Sequence, residues 1–513
     1  MRLRIWRLDA TASGGGLPKD RFQAAFGRFT EKGVQVFLQP EEKRPPRLDL
    51  SRANLDCGLG ALGWLASKEI SSPRSNRCGC ELGTGLASEE NAPVFIDAFA
   101  GCGGLSLGLL RAGWRGLFAI EKDAFAFETL KTNLIHGPRQ RFAWPSWLEQ
   151  QPWTIESLME KHGTELGKLR GKIDLLAGGP PCQGFSSAGR RRPGDLRNQL
   201  VERYLEFVEL VQPGMVLIEN VRGITYDFVS TDEEGKGETR RNFAEELLSR
   251  LGQLYHVYYD TIRCSEFGVP QKRPRFFVVG ILKSPKAKRL PKGQDPFARL
   301  RGGKVKFLER KGLKPQVSCK QAISDLEIAH AGKIESPDTK GYEAIKTAPA
   351  KTDYQRVMRD GHVGPLTDTR LARHRPHIVE RFGKIIAECK AEGRLSVQLN
   401  SEMRNRHGIN KMATRVLDPS LCAPTITSMP DDLLHYAEPR TLTVRENARL
   451  QTFPDWFAFQ GKYTTGGERR AREVPRFTQV ANAVPPLIAE MWGQVLLSYV
   501  KEASALRRLD QAA

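Results

Sequence analysis

The chain has 513 residues, with 79 Lys and Arg against 59 Asp and Glu, which gives a formal net charge of +20. Hydrophobic residues make up 40% of it and charged residues 27%, which is typical of globular proteins and excludes a wholly disordered chain. No apolar run approaches the roughly 18 residues of a membrane span, and the basic N-terminus lacks the apolar stretch of a secretory signal. Nine sparse cysteines argue against a disulfide scaffold, so we expect a protein of the reducing cytoplasm.

The first 90 residues contain no long periodic stretch and are broken by Gly-rich and Pro-rich turns. We therefore predict that residues 1–90 form an accessory region or a partly disordered extension. The cysteines there, like those elsewhere, lack the spacing of a zinc site, and no metal is expected.

From Pro93 onward, short apolar strands alternate with helical stretches, which indicates βαβ units and a parallel, doubly wound sheet. Ligands of such sheets collect at the carboxyl ends of the strands. This rhythm stops after Gly280, and the later helical signals are Ile378–Ala391, a stretch from Thr443, and Pro486–Val500. The predicted strands are Val94–Phe99, Leu117–Ile120, Ile173–Ala177, Met215–Ile218 and Arg275–Gly280.

Most of the basic excess lies in residues 281–425, which hold 30 Lys and Arg against 15 Asp and Glu, a net charge of +15. A charge run alone is more often a solvated face than a binding surface. Here a set of motifs for catalysis precedes the basic segment, so we favour contact between this segment and a phosphate backbone. Lys283, Lys286 and Lys288 lie at the start of the segment. The other cations of its first part are Lys292, Arg299, Arg301, Lys304, Lys306, Arg310, Lys311 and Lys314, together with Arg289.

The first motif runs from Asp97 to Gly104 and reads Asp-Ala-Phe-Ala-Gly-Cys-Gly-Gly. It follows a strand and precedes a helix, and its glycines allow a tight turn and a close approach of a ligand to the main chain. Glu121, at the end of the next strand, can accept hydrogen bonds from both hydroxyls of a ribose. This pair indicates a cofactor that contains adenosine, although a plain strand-turn-helix fits the glycines too.

The second motif presents Cys182 after Pro180-Pro181 in a Gly-rich loop at a strand end, a setting that favours a nucleophile over an inert buried thiol. Glu219 ends another strand, and Gln271-Lys-Arg273-Pro-Arg275 leads into the last one. Either of these motifs alone fits a surface charge beside a strand equally well. A fifth motif, Gln479-Val-Ala-Asn482-Ala-Val484-Pro-Pro, precedes the final helix.

In this order the motifs resemble those of the DNA (cytosine-5)-methyltransferase family, over residues 93–280 and about 439–500, including Arg440–Pro454. The resemblance implies an α/β fold: a doubly wound, Rossmann-like S-adenosylmethionine-dependent domain with a smaller, basic target-recognition domain. The implied divisions are an N-terminal extension (1–90), a catalytic domain (91–280), a target-recognition domain (281–475) and a C-terminal segment that returns to the catalytic domain (476–513).

The resemblance also implies roles for individual residues. Cys182 would be the nucleophile, Glu219 would engage N3 and the exocyclic amine of cytosine, and Arg273 and Arg275 would hold the active-site loop near the base and thiolate. Arg197-Asn-Gln-Leu200 would lie near the cofactor and base. The family's Asp for the adenine amine is not obvious here, and Trp153-Thr-Ile155 is the nearest candidate. The residues that would hold S-adenosyl-L-methionine are Phe99, Gly101, Gly103, Gly104, Glu121, Asn482 and Val484.

The activity implied is methylation of C5 of a flipped-out cytosine in a specific double-stranded DNA sequence, through a Cys182–C6 adduct. The implied setting is a bacterial restriction-modification system, in the cytoplasm and on nucleoid DNA, with a restriction endonuclease for the same site as partner and no membrane. An RNA cytosine-5 methyltransferase and a catalytically silent nucleic-acid-binding protein remain alternatives. The large 281–425 segment favours DNA, because reading the major groove needs dedicated surface.

Overall fold

The computed structural model describes residues 92–137, 139, 142–180, 199–231, 238–283, 293–466, 469 and 472–512. All of them belong to one compact unit, Gly83–Ala513. The predicted N-terminal extension and Cys182 lie outside the described residues, so their predicted properties stay predictions.

The first part of this unit contains eight described strands and five described α-helices. The strands are β1 (Val94–Ala98), β2 (Arg115–Ile120), β3 (Leu175–Gly178), β4 (Met215–Asn220), β5 (Phe228–Thr231), β6 (Glu238–Arg241), β7 (Tyr255–Arg263) and β8 (Pro274–Leu282). The helices are α1 (Gly104–Arg111), α2 (Ala124–Leu130), α3 (Ile155–Gly167), α4 (Gln199–Val211) and α5 (Phe243–Leu254).

The remaining part is richer in helices. They are α6 (Pro296–Arg310), α7 (Cys319–Ile323), α8 (Ile328–Ala331), α9 (Asp353–Arg359), α10 (Pro376–Ala391), α11 (Ser401–Arg406), α12 (Val444–Leu450), α13 (Arg476–Asn482) and α14 (Pro486–Ala512). Its short strands are β9 (Lys333–Glu335), β10 (Glu343–Ile345), β11 (Arg415–Val416) and β12 (Leu433–Leu434).

A six-stranded sheet with the order β2-β1-β3-β4-β8-β7 forms the centre of the fold. The pairs among β2, β1, β3 and β4 are parallel, as predicted, whereas β8 runs antiparallel to both β4 and β7. The expectation of a wholly parallel sheet is therefore wrong for the strand that contains Arg275. The physical reason is the short connection between β7 and β8, because parallel neighbours need a crossover of about a dozen residues or more.

The sheet is buried on both faces, which explains why its strands read as continuous apolar runs. Neighbouring residues such as Phe95 and Ile96 enter two different hydrophobic layers, because side chains alternate along a strand. The layer that contains Phe95 includes residues of α1, α12, α13 and α14, and the other includes residues of α3, α4 and α5.

Helix α14 returns the end of the chain to the sheet by packing on α1. A side chain at Gly108 would collide with Ala489 and with the backbone of Pro486, so the two helices approach closely only because Gly108 has none. Trp114 Nε1 donates to the Gly493 carbonyl at 2.8 Å and fixes the same contact.

Helix α6 was not predicted, because Gly302-Gly303 and a high charge density weaken its helical signal. Asp295 caps it through the amides of Phe297 and Ala298, and it packs on α14. Arg299 pairs with Glu502, and Lys311 pairs with Glu490 at 2.7 Å. These cations of the basic segment therefore have partners within the chain.

Lys283, the first lysine of the basic segment, lies at the edge of the sheet opposite to the carboxyl ends of the parallel strands. Leu282 donates its amide to the Gly214 carbonyl, just before β4 begins, and Lys283 Nζ donates to the Gly252 carbonyl at 2.6 Å. Lys283 therefore lies away from the carboxyl ends of β1 to β4. The predicted phosphate contact of this cluster stays a prediction, because Lys286 and Lys288 lie outside the described residues.

A separate small apolar cluster joins α10, α11, β11 and β12. Strands β11 and β12 pair in parallel, and this fixes residues 415–416 beside residues 433–434. No described helix is long and apolar enough to cross a membrane.

Candidate active site

A cleft of about 560 Å³ lies at the carboxyl ends of β1 to β4. Its walls bring together residues that are far apart in sequence and that the motifs singled out. They include Phe99, Gly101, Glu121, Glu219, Arg273, Arg275, Asn482 and Val484. Leu200, the last residue of the Arg197–Leu200 stretch, also lines it.

The Gly-rich turn after β1 has the left-handed backbone that its glycines predict. Phe99, Gly101 and Gly103 have φ values of 59°, 57° and 93°. A side chain at Gly101 would meet nothing within 4 Å, so this turn presents bare main chain to open space. Gly103 and Gly104 are not among the residues that line the cleft, and their lack of a side chain makes room for Leu134 and for the Val484 carbonyl. Their predicted contact with the cofactor stays a prediction.

Glu121 faces the cleft with its carboxylate held by the main chain. Its Oε2 accepts from the Gly101 amide and its Oε1 from the Asp123 amide, each at 2.8 Å. Burial raises the pKa of Glu121, and these two amides oppose the rise. The carboxylate is thus fixed in orientation beside the Gly-rich turn.

Asp97, the first residue of the same motif, also lines the cleft and was not named as a site residue. It is fully buried, and its Oδ2 accepts from the Ser106 hydroxyl. Its other oxygen has no hydrogen-bond partner among the described residues. Burial raises the pKa of Asp97 to about 7. An acidic residue at a strand end beside a glycine turn was the signal that could have identified it.

The opposite end of the cleft contains the end of β3, the end of β4 and the start of β8. Arg275 Nε lies 2.8 Å from Glu219 Oε1, and both side chains are almost completely buried. Asn220 Nδ2 donates to the Pro180 carbonyl at 3.1 Å, which anchors the loop that leads to Cys182 two residues later. The structure thus brings Glu219 and Arg275 together and places Pro180, two residues before Cys182, close to them.

Arg273 has different hydrogen-bond partners from Arg275, although it is only two residues away in sequence. Its Nη2 donates to the carbonyls of Ala481 at 2.7 Å and Ala483 at 3.1 Å. These contacts hold the segment before α14, which closes the cofactor end of the cleft. The described contacts of the two arginines differ: Arg275 pairs with Glu219, and Arg273 supports the wall with Asn482 and Val484. Their predicted roles near the base stay predictions.

Two further segments line the cleft. One was predicted only as a candidate for the adenine contact, and the other was not predicted. Trp153, Thr154 and Ile155 lie beside Glu121, where the Trp153 amide donates to the Glu121 carbonyl at 2.8 Å. This stretch is the nearest candidate for the adenine contact, which stays a prediction. Ile426, Thr427 and Ser428 line the other side and carry no recognisable motif; hydrogen bonds from residues 423–426 to the Gln271–Lys272 stretch hold them there.

The comparison with protein families decides the identity. A profile described as "C-5 cytosine-specific DNA methylase" matches residues 94–498. The chain belongs to this family. It is a DNA (cytosine-5)-methyltransferase of the restriction-modification type.

Curated relatives agree with the family match. The type II methyltransferase M.DdeI of Desulfomicrobium norvegicum is 30% identical over 419 residues, which cover 80% of this chain and 90% of the relative. The type II methyltransferase M.AgeI of Thalassovita gelatinovora is 28% identical over 459 residues, which cover 78% and 98%.

Among solved structures, a DNA modification methyltransferase encoded within an E. coli prophage superposes with a TM-score of 0.54 at 25% identity, covering 80% of this chain and all of that one. The predicted fold class, an α/β methyltransferase fold, is thereby confirmed.

Proposed function

We propose that this methyltransferase transfers the methyl group of S-adenosylmethionine to C5 of a flipped-out cytosine in a specific double-stranded DNA sequence, through a covalent bond between Cys182 and C6. The observation that carries the proposal is one continuous cleft. It has a main-chain turn and Glu121 at one end and the Glu219–Arg275 pair at the other.

The cofactor end fits the donor set of S-adenosylmethionine. Glu121, with its orientation fixed by two amides, can accept from ribose hydroxyls, and the bare turn at Gly101 admits a ligand against the main chain. The unpartnered buried Oδ1 of Asp97 offers an acceptor for an ammonium group. When bound, the cofactor supplies an electrophilic methyl group on a sulfonium.

At the base end, the side chains supply the remaining chemistry. The Cys182 thiolate adds to C6 of cytosine, which breaks the 5,6 double bond and places electron density on the ring toward N3. Glu219 hydrogen-bonds or protonates N3, and Arg275 holds the Glu219 carboxyl in place. C5 could then accept the methyl group, whose bond to the cofactor sulfur would break to leave a neutral thioether. Loss of the C5 proton to a base would expel the Cys182 thiolate and re-form the 5,6 double bond, while N3 returns its proton to Glu219.

The DNA must present the cytosine out of its stack, since C6 is inaccessible to a thiolate in a duplex. The wall at 426–428 continues into residues 429–432, which lead directly to β12 in the small cluster of α10, α11, β11 and β12. We assign this side of the cleft to the duplex, in place of the Lys283 end of the basic segment.

The biological role proposed is protection of DNA in a bacterial restriction-modification system. The named relatives are type II methyltransferases, which supports this setting. The proposed partner is a restriction endonuclease that cuts the same site, and the proposed location is the bacterial cytoplasm, on nucleoid DNA.

Expression in a host without cytosine methylation tests the proposal. Nucleoside mass spectrometry should find 5-methylcytosine, and bisulfite sequencing should place it in one short sequence context. Cys182→Ser should abolish both signals. Cys422→Ser is the matched control, because a serine can still donate to the Val317 carbonyl, and it should keep full methylation. Soluble wild-type protein that leaves the DNA unmethylated would contradict the proposal.

A further inference from the structure

A relay of buried amides connects the two walls of the cleft. Gln271 and Gln451 both have no exposed surface, and neither has an assigned role. Gln271 Oε1 accepts from the Ile426 amide at 3.0 Å, and Gln271 Nε2 donates to Gln451 Oε1 at 2.5 Å. Gln451 Nε2 in turn donates to the carbonyls of Val480 at 3.1 Å and Ala483 at 2.7 Å.

The two ends of this relay are cleft walls with different predicted ligands. Ile426 belongs to the wall assigned to the duplex, and Ala483 to the wall that closes the cofactor end. The Ala483 carbonyl accepts from both Gln451 and Arg273, so two side chains set the position of the segment that contains Asn482 and Val484.

We propose that Gln451 is a positioning residue for the cofactor wall, and that the Gln271–Gln451 relay couples cofactor binding to DNA binding. This inference rests on the proposed function for the identity of the two ligands. A shift of the Ile426 wall moves the backbone amide that donates to Gln271 Oε1, and the side-chain amides of Gln271 and Gln451 transmit the shift to Ala483. Because linkage is reciprocal, DNA must then tighten cofactor binding by the factor by which cofactor tightens DNA binding.

The direction of each amide supports this assignment. Gln451 must present its oxygen to Gln271 and its nitrogen to the two carbonyls, and Gln271 must present its oxygen to the Ile426 amide. Every donor of the relay therefore faces an acceptor. If either side-chain amide were turned over, the Ile426 amide, the two glutamines and the Ala483 carbonyl could not all be paired. Methionine has nearly the volume of glutamine and makes none of these bonds, so it breaks the relay without leaving a large cavity.

The test uses the full chain and S-adenosylhomocysteine, the cofactor product, as the probe. Calorimetry gives its Kd with and without a duplex that carries the methylated site found by sequencing. For Gln451→Met we expect the Kd to rise by about 5- to 30-fold, as for the loss of one or two buried hydrogen bonds, and the tightening by the duplex to disappear. The cofactor KM should rise far more than kcat falls.

Gln355→Met is the matched control. Gln355 is equally buried and also bonds through its side chain, to Ser324 and to the amides of Lys351 and Thr352, but none of these partners lines the cleft. Gln355→Met should lower the thermal stability without changing the Kd for S-adenosylhomocysteine or the effect of the duplex on that Kd. If Gln451→Met does not fold, Gln271→Met tests the same relay from its other end and should also abolish the tightening by DNA.

The outcomes separate this inference from the proposed function. A wild-type protein that binds no S-adenosylhomocysteine contradicts the proposed function itself. A wild-type protein that binds it, with a Kd unchanged by Gln451→Met, overturns the positioning role. If the duplex still tightens binding equally in Gln451→Met and Gln271→Met, the coupling through the relay is overturned.

Discussion

The two ends of the cleft differ in the groups that line them, which are largely main-chain groups at one end and charged side chains at the other. At the cofactor end, left-handed backbone at Gly101 and amides around Glu121 form the site. At the proposed base end, the buried ion pair Glu219–Arg275 lies close to Pro180, two residues before Cys182. Under the proposed function, cofactor binding relies on the main chain, whose shape the glycines set, whereas the chemistry relies on individual side chains. Substitutions at the two ends should therefore have separable effects.

The sharpest test of this separation compares two isosteric changes, Glu219→Gln and Glu121→Gln. Glu219→Gln removes the proton donor for N3, so the single-turnover methylation rate should fall by roughly 10²- to 10³-fold. The Kd for S-adenosylhomocysteine should change little. Glu121→Gln should give the reverse, with a Kd raised by about 10-fold or more and a nearly normal rate at saturating cofactor. Equal effects of both changes on both quantities would refute the division.

The two arginines of the Gln271–Arg275 stretch sharpen the same comparison. Arg275→Lys loses the geometry that holds the Glu219 carboxyl, so kcat should fall by about 10- to 100-fold. Arg273→Lys cannot reach both carbonyls of Ala481 and Ala483 in the same way, so it should mainly weaken cofactor binding. Single-turnover kinetics and calorimetry on both variants measure this. A loss of kcat from Arg273→Lys equal to that from Arg275→Lys would show that both arginines serve the base.

Asp97 offers a test of the buried charge at the cofactor end. Its pKa is about 7 in the folded protein and about 3.8 when exposed. Between these values the folded state holds a proton that the unfolded state releases, so rising pH should destabilise the wild type by up to about 1.4 kcal/mol per pH unit. Asp97→Asn cannot titrate. Urea unfolding from pH 4 to 8 should show the wild type losing stability relative to the variant until about pH 7, and parallel curves would contradict the burial effect.

The smallest expected effect is on the salt dependence of DNA binding, and it compares the two lysines that flank strand β8. Lys272 and Lys283 are both exposed, but Lys272 lies at the cleft edge and Lys283 at the far edge. If Lys272 contacts one phosphate, Lys272→Gln should reduce the slope of log K against log salt by about 0.9. Lys283→Gln should leave it unchanged. A reduced slope for Lys283→Gln alone would restore the original interpretation of the basic segment.

Much of the fold was predictable because its signals are local. The apolar runs around Ile96, Leu176 and Ile218 occur in strands buried on both faces, and Thr443 with Glu446 forms the capping box that begins α12. Strand β7 was missed because its outward side chains are polar or aromatic and it lies at the sheet edge. Without β7, nothing indicated that β8 would run antiparallel.

Residues of the site were predictable only where a sequence motif contains side chains of recognisable chemical function. Glu121, Glu219 and Arg275 lie in the cleft as the sequence implied. The wall at Ile426 has no motif, since it depends on a backbone amide that meets Gln271 across 155 positions of sequence. The partner of Arg273 is likewise a pair of main-chain carbonyls, and no residue pattern reveals which carbonyl a guanidinium will reach.

The central claim is that Cys182 bonds to C6 of the target cytosine inside this cleft. A duplex with 5-fluorocytosine at the methylated position tests it directly, because fluorine cannot leave C5 as a proton does and the adduct persists. After incubation with S-adenosylmethionine and proteolysis, mass spectrometry should find the nucleotide on the peptide that contains Cys182, with the added methyl group. An adduct on another cysteine, or turnover of the normal duplex without an adduct on the fluorinated one, would contradict the account.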